Sequence, residues 1–239
     1  MTEQFWLGCA VWSHRSWLGN FLPAGTPSRE LLAQYSQRVT AVEGNTTFYA
    51  VPQAKTVQRW ANQVPANFRF CLKLHQRITH SGRLAPQLGV AQQFVSLMQP
   101  LQPHLGPYFA QLPPRYSPAT QADLVEFLDH WPTRTAPLAL EVRHLGWFQP
   151  PIADRLNQVL RDRGIGRVLL DTRPIYDGDD DPQLRSERRK PQVPLNPITT
   201  APFAIVRYIS HPNLERNQHY LTEWVEQVRD WLAHGIAVY

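Results

Sequence analysis

Short apolar runs alternate with longer amphipathic stretches from one end of this chain to the other. Residues 5–12, "FWLGCAVW", read as a strand. Thr26 and Pro27 then offer a cap and a first-turn proline, with Leu31, Leu32, Tyr35 and Val39 following at helical spacing. "TAVEGN" is a second strand and "AKTVQRWANQ" a short helix; "FRFCLKL" is a third strand and "VAQQFVSLMQPL" the next helix. "PYFAQL" precedes the helical "ATQADLVEFLDHW", and "LALEVR" precedes "ADRLNQVLRDRG", which Gly164 is placed to end. "GRVLLDT" and "FAIVRYI" are sixth and seventh, "HYLTEWVEQVRDWLAHG" is the last clear helix, and "IAVY" begins an eighth strand.

Short apolar strands alternating with helices predict βαβ units and a parallel sheet. Eight such strands predict a TIM-type (β/α)8 barrel, built as a single domain over residues 1–239. An open doubly wound sheet is disfavoured because no glycine-rich phosphate loop follows the first strand. The rhythm breaks after the sixth strand. Residues 174–202 carry many prolines, the acidic "DGDDD" and the basic "RSERRK", with no helical pattern. A connection of that length is either a solvated excursion or a lid over the strand-exit face. The final helix is also missing, which predicts an uncovered flank beside strand eight, to be met by the N-terminus, a homodimer partner or further chain.

Strand ends carry the candidate chemistry. The exits hold Trp12, then Glu43 and Asn45, Lys73 and His75, Gln111, Glu141 and Arg143, Asp171 and Arg173, and Arg207. Several of these lie two apart and so share one face of a strand. In a closed barrel they would converge on the rim where barrel enzymes place their active sites. Glu43 and Glu141 are then candidate proton-transfer groups whose ionisation the cations tune. Lys73, Arg143 and Arg207 would favour a small anionic ligand. Glu43 is expected to pair with Lys73 on the adjoining strand. The competing explanation is a buried structural ion network. His80, His144 and His211 follow strands and add candidates for proton transfer at the rim, His80 first among them. Trp12, Trp17 and Trp147 fall after strands, where an aromatic ring can wall a pocket.

Composition adjusts this picture little. Hydrophobic residues make up 43% of the 239, enough for a sizeable core, and no run approaches a membrane span. The N-terminus lacks a signal-peptide pattern, so a cytoplasmic protein is expected. Cys9 and Cys71, each in an apolar run, are expected as buried free thiols. The net charge of +5 suits an anionic ligand, but part of it is the polar "RSERRK" run, so nucleic-acid binding is not required. No cofactor is expected. A divalent metal held by Glu43, Glu141, Asp171 and a histidine is conceivable, though the nearby cations oppose it and no HxH or CxxC spacing is present.

The segments "GCAVWSHRSWLGNFLP", "VEGNTTFYAVP", "FRFCLKLHQRITH", "FAQLPPRY", "EVRHLGWF" and "IVRYISH" closely resemble the YecE-like family, a domain of unknown function, in order and over nearly the whole chain. The resemblance implies a (β/α)8 barrel and a grouping with sugar-isomerase-like proteins, without a reaction. By position, the motif residues it implies in the first half are Trp12, Glu43, Asn45, Thr47, Phe48, Tyr49, Lys73, Thr79 and His80. In the second half they are Gln111, Pro113, Glu141, Arg143, Trp147, Asp171 and Arg207. Three departures stand out: Gly8-Cys9-Ala10-Val11-Trp12 replaces Gly-Thr-Ser-Gly-Trp, Gly44 replaces a larger apolar residue, and Ser210-His211-Pro212 replaces a His-Gly. The expected function is proton transfer on a small anionic or sugar-like substrate at the rim; the alternatives are a non-catalytic ligand-binding or scaffold barrel, or nucleic-acid processing.

Overall fold

The computed structural model describes residues 4–186 and 189–239. Strands follow one another in chain order: β1 (Gly8–Cys9), β2 (Ala41–Gly44), β3 (Arg69–Leu72), β4 (Tyr108–Gln111), β5 (Leu138–Glu141), β6 (Gly166–Asp171), β7 (Phe203–Tyr208) and β8 (Ala237–Val238). The helices are α1 (Leu31–Ser36), α2 (Thr46–Tyr49), α3 (Ala54–Gln63), α4 (Gln76–Thr79), α5 (Leu88–Leu97), α6 (Gln121–Asp129), α7 (Ile152–Arg161) and α8 (Gln218–Ala233). Every strand pairing is parallel, as the alternating pattern predicts.

The continuous eight-stranded barrel expected from the sequence is not what the ladders show. They form a three-stranded sheet, β1-β2-β3, and a five-stranded sheet, β4 to β8. Single bridges cross both seams: Phe70 with Leu105 and Lys73 with Phe109 at one, Phe5 with Val238 at the other. At the first seam the register slips by one residue between the bridges, because three steps along β3 face four along the partner. The extra residue falls at Gly106-Pro107, and proline has no N–H to give a ladder. At the second seam β8 is only two residues long.

Alternation sorts the two faces of the strands. Phe109, Ala139, Val168, Phe203 and Ile205, on β4 to β7, form one buried cluster on the inner face. Their neighbours Tyr108, Ala110, Leu138 and Leu140 face the helices in the largest apolar cluster. On α7 the buried positions Ala153, Leu156, Asn157 and Leu160 recur at helical spacing, which turns one stripe to the sheet. At the entry end Trp6 stacks on Tyr239 with centroids 4.6 Å apart.

Between β6 and β7 the only helix among the described residues is one 3-10 turn, Arg173–Ile175. Thr172 Oγ1 donates to the Pro191 carbonyl (3.2 Å), near the exit of β6. Thr200 Oγ1 accepts from Arg167 N (2.8 Å) and donates to the Ile165 carbonyl (2.7 Å), near its entry. Residues 191–200 therefore run back beside β6, where the βα rhythm would put a helix. Glu187 and Arg188 of the basic run lie outside the described residues. Both cysteines are free, but only Cys71 is buried; Cys9 is exposed because β1 borders the sparsely bridged seam.

Candidate functional site at the strand ends

The segment "AVEGNTTFY" ends β2 and turns into α2, and Glu43, Asn45 and Thr47 are all held there. Thr47, fully buried, places its hydroxyl against the carbonyls of Gly44 (2.8 Å) and Lys73 (2.6 Å), which ties the ends of β2 and β3 together. Asn45 Nδ2 donates to the Ala10 carbonyl (3.0 Å) beyond β1 and to Glu43 Oε1 (2.7 Å). Phe48 turns its ring beneath Lys73, whose Nζ stands 4.2 Å from the ring centroid.

From Glu43 a chain of charge-assisted hydrogen bonds runs around the strand ends. Arg207 Nε and Nη2 hold Glu43 in a fork (2.6 and 2.9 Å), and its Nη1 reaches Glu141 Oε2 (2.7 Å). Glu141 Oε1 accepts from Arg143 Nε (2.6 Å), and Arg143 Nη2 donates to Gln111 Oε1 (2.7 Å). The same oxygen accepts from Lys73 Nζ (2.9 Å). The inner face of β2, β3, β4, β5 and β7 thus converges on one network that spans both sheets.

The expected Glu43–Lys73 pair is not formed. Strand register explains why: Glu43 stands level with Cys71, so Lys73 sits one full pleat higher and leans to β4. Arg207 takes Glu43 instead. Lys73 is then a buried ammonium whose hydrogen-bond partner is a neutral amide. Burial, reinforced by Arg207, lowers its pKa to about 8. His80 packs edge-on against Phe48 (4.9 Å between centroids) and its Nδ1 lies 2.8 Å from Thr79 Oγ1. Burial and the cations Lys73 and Arg143 drop its pKa to about 4. Glu141, wholly enclosed, is held below the usual carboxylate range despite that burial, because Arg207 and Arg143 both touch it.

Three expected members stand elsewhere. Asp171 is on the outer face of β6, under α8, where Trp224 Nε1 (2.8 Å) and Arg173 bind it. Alternation puts Leu170, not Asp171, beside Arg207 on β7. This removes the metal set built on Asp171, and the described residues contain no group of three or more His, Cys, Asp or Glu able to hold a metal. Trp147 is fully buried, its indole donating to the Tyr116 carbonyl (2.8 Å), and Trp12 packs edge-on against Trp60 of α3. These two tryptophans fill the layer between strands and helices. Trp17 likewise stacks on Tyr35, 6.0 Å between centroids. His144 and His211 are engaged locally: Nδ1 of each accepts a backbone N–H, and His211 Nε2 faces Asp180 (3.1 Å).

One exposed cation near the site escaped the sequence pattern. Lys190, in the basic run read as solvated, lies within electrostatic reach of Arg207, Arg143, Glu43 and Glu141, and partial desolvation lowers its pKa. Its backbone is fixed by Gln183 Oε1 (2.6 Å) and by the Tyr176 hydroxyl. No periodicity marks it, since the connection has none. A cavity of about 290 Å³ opens between β1 and β7, with Glu43 and Arg207 in its wall and Cys71 and Phe109 among its lining. It exists because β8 pairs only with Phe203 and Ala204, leaving the upper part of β7 bare on that side.

Parallel strands with a charged cluster at their exits define the class: an α/β protein whose ionised side chains gather at the strand ends. The description "Protein of unknown function DUF72" matches residues 6–239, and the chain belongs to that family. It is 32% identical to the UPF0759 protein YecE of Escherichia coli over 229 residues, covering 95% of this chain and 81% of that one. To the UPF0759 protein YunF of Bacillus subtilis it is 25% identical over 247 residues, covering 94% and 86%. A solved DUF72 family protein from Thermotoga maritima aligns with TM-score 0.73 at 20% identity, over 99% of this chain and 90% of that one. One from Enterococcus faecalis aligns with TM-score 0.68 at 20% identity, over 87% and 79%. At that identity the two structures bear on the fold alone. No helix among the described residues is long and apolar enough to cross a membrane.

Proposed function

We propose that this chain is an enzyme that moves protons on a small anionic, sugar-like substrate, bound at the exit rim of one (β/α)8 barrel domain. The carrying observation is Lys73: a buried ammonium without a carboxylate partner among the described residues, with a pKa of about 8. Such a group exchanges a proton near neutral pH and is costly to keep unless something uses it. Lys73 is the acid–base group, and His80, kept neutral at pH 7 by burial and the nearby cations, is a hydrogen-bonding group on the other side of the Phe48 ring. Gln111 and Arg143 orient the substrate, Lys190 adds charge from the connection above, and Asn45 positions Glu43. Glu43, Arg207 and Glu141 are the frame. Both carboxylates are already engaged by arginine, so neither is the first proton acceptor.

Three cations (Lys73, Arg143, Arg207) face two carboxylates, which leaves one positive charge for an anion before Lys190 is counted. The barrel closure rests on the bridges at both seams and on the network that spans them. The test is a screen of small carboxylates, phosphates and acidic sugars, reading binding by thermal shift and turnover by mass spectrometry. Lys73→Met is expected to abolish turnover while an anion still binds Arg143. Turnover that survives Lys73→Met removes the catalytic role, and anion binding without turnover in the wild type leaves a binding protein.

A further inference from the structure

Charge is segregated on the strand-exit face. The exit segments of β1 to β5, residues 10–28, 45–53, 73–87, 112–120 and 142–151, hold six Lys or Arg and no Asp or Glu. The acidic residues after β6 are answered on the spot: Asp180 by Arg216 and His211, Asp181 by Arg189, and Asp177 by the Tyr220 hydroxyl (2.6 Å). Arg189 of the basic run is thereby neutralised, whereas Arg15, Arg77 and Arg115 are exposed and have no carboxylate partner among the described residues. These exits form one surface. Asn45 ties the exit of β2 to that of β1 through the Ala10 carbonyl (3.0 Å), and Thr47 ties it to that of β3 through the Lys73 carbonyl (2.6 Å). Arg115 Nη2 donates to the His80 carbonyl (2.6 Å), joining the exits of β3 and β4. Tyr49, 57% exposed, stands edge-on to Phe48 (5.1 Å between centroids), on the exit between those of Arg15 and Arg77. A merely solvated face mixes both signs, whereas a single-sign field steers a charged partner.

We propose that the exit face of β1 to β4 binds a single strand of nucleic acid, its phosphates on Arg15, Arg77 and Arg115 and a base on Tyr49. All three cations are arginines, whose planar fork matches a pair of phosphate oxygens. Carboxylates of an acidic protein would meet the same charges, but stacked bases also use a flat, exposed ring set among them. The face adjoins the Lys73–Gln111–Arg143 cluster and needs no reaction there, so it stands or falls apart from the proton-transfer reading.

The test is fluorescence anisotropy of a labelled oligothymidylate of about twelve nucleotides. Three phosphate contacts predict that log K falls against log salt with a slope of about −2, or about 20-fold between ~50 and ~200 mM sodium chloride. Arg15→Gln combined with Arg77→Gln, both at exposed positions, is expected to keep Tm and to flatten the slope to about −0.7. Tyr49→Leu, which keeps apolar bulk and removes the ring, is expected to weaken binding at least about fivefold at unchanged slope. No binding at ~50 mM salt, a slope that the double variant leaves as it was, or an affinity that Tyr49→Leu does not change would overturn the proposal. So would polyglutamate that competes as well as unlabelled oligothymidylate of equal charge, which would make the partner an acidic protein.

Discussion

Lys73 is a cation that the fold holds against its own stability. Its pKa falls from 10.5 to about 8 on folding, so between those values the unfolded chain binds more protons than the native one. Stability therefore rises as pH goes from about 8 to 10.5, and at neutral pH the charged form is a net penalty. Lys73→Met is expected to stabilise the protein at pH 7 by about 1–3 kcal/mol, after losses at Gln111 and Phe48. It should also erase that part of the alkaline gain. Urea denaturation of both proteins at pH 7, 9 and 10 checks this; a destabilised variant at pH 7 would mean that Lys73 is structural. His80 follows the same sign lower on the scale. Its pKa is depressed to about 4, so its contribution is intact above 6.5 and lost as pH falls toward 4. An NMR titration of its ring should show a midpoint near 4. The sequence displayed which residues end the strands, and Glu43, Asn45, Lys73, Gln111, Glu141, Arg143 and Arg207 do meet. It did not display who pairs with whom. That depends on register between strands, as with Glu43 level with Cys71, and on which face a residue takes, as with Asp171 turned outward.

Among the elements, β1 shares with β8 the shortest length and is sensitive to geometry. It is two residues long, and Tyr35 of α1 holds it by accepting from Cys9 N (2.6 Å) while donating to the Ala41 carbonyl (2.9 Å). A Cβ on Gly8 would stand 1.8 Å from that same carbonyl oxygen. Backbone cannot yield as a side chain can. Gly8→Ala is therefore expected to part β1 from β2 and to cost at least about 1–3 kcal/mol, read by denaturation. The variant should leave the Arg207–Glu141 half of the network in place. At Gly44 the neighbour is only Leu72 Cδ2, at 2.7 Å, a flexible methyl group. A larger residue there needs no more than a turned leucine. Helical stretches were legible because their apolar spacing survives in a single sequence; α7 shows its stripe plainly. The 191–200 segment was not. An extended chain that substitutes for a helix has no period to read, and its partners are backbone groups of β6 some thirty residues away.

At the scale of the whole molecule the two seams set the question of closure. Sequence spacing predicts eight strands and delivers them in order, but hydrogen-bond continuity depends on local detail such as the extra residue at Gly106-Pro107. The second seam is closed mainly by side chains and two backbone bonds: Trp6 N to the Val238 carbonyl (2.8 Å) and Val238 N to the Gln4 carbonyl (2.6 Å). Trp6 is its plug. Its ring stacks on Tyr239, carries the Arg69 guanidinium 5.4 Å from its centroid, and donates Nε1 to the Asn67 carbonyl (3.1 Å). Trp6→Ala removes all three and is expected to cost about 3–5 kcal/mol. The loss should be uneven. Amide hydrogen exchange is expected to quicken at Val238 and in β1, while β5 and β6, paired on both sides, keep their protection. Sub-global opening would then begin where β8 meets the N-terminal segment, and the Arg207–Glu43 contact of the strand-end network would be the last link across that seam. Removing that link as well, with Arg207→Leu added to Trp6→Ala, should lower stability by more than the two single losses together. If protection instead falls equally in all strands of the single variant, the seam is no weaker than the ladders and the sheets open as one.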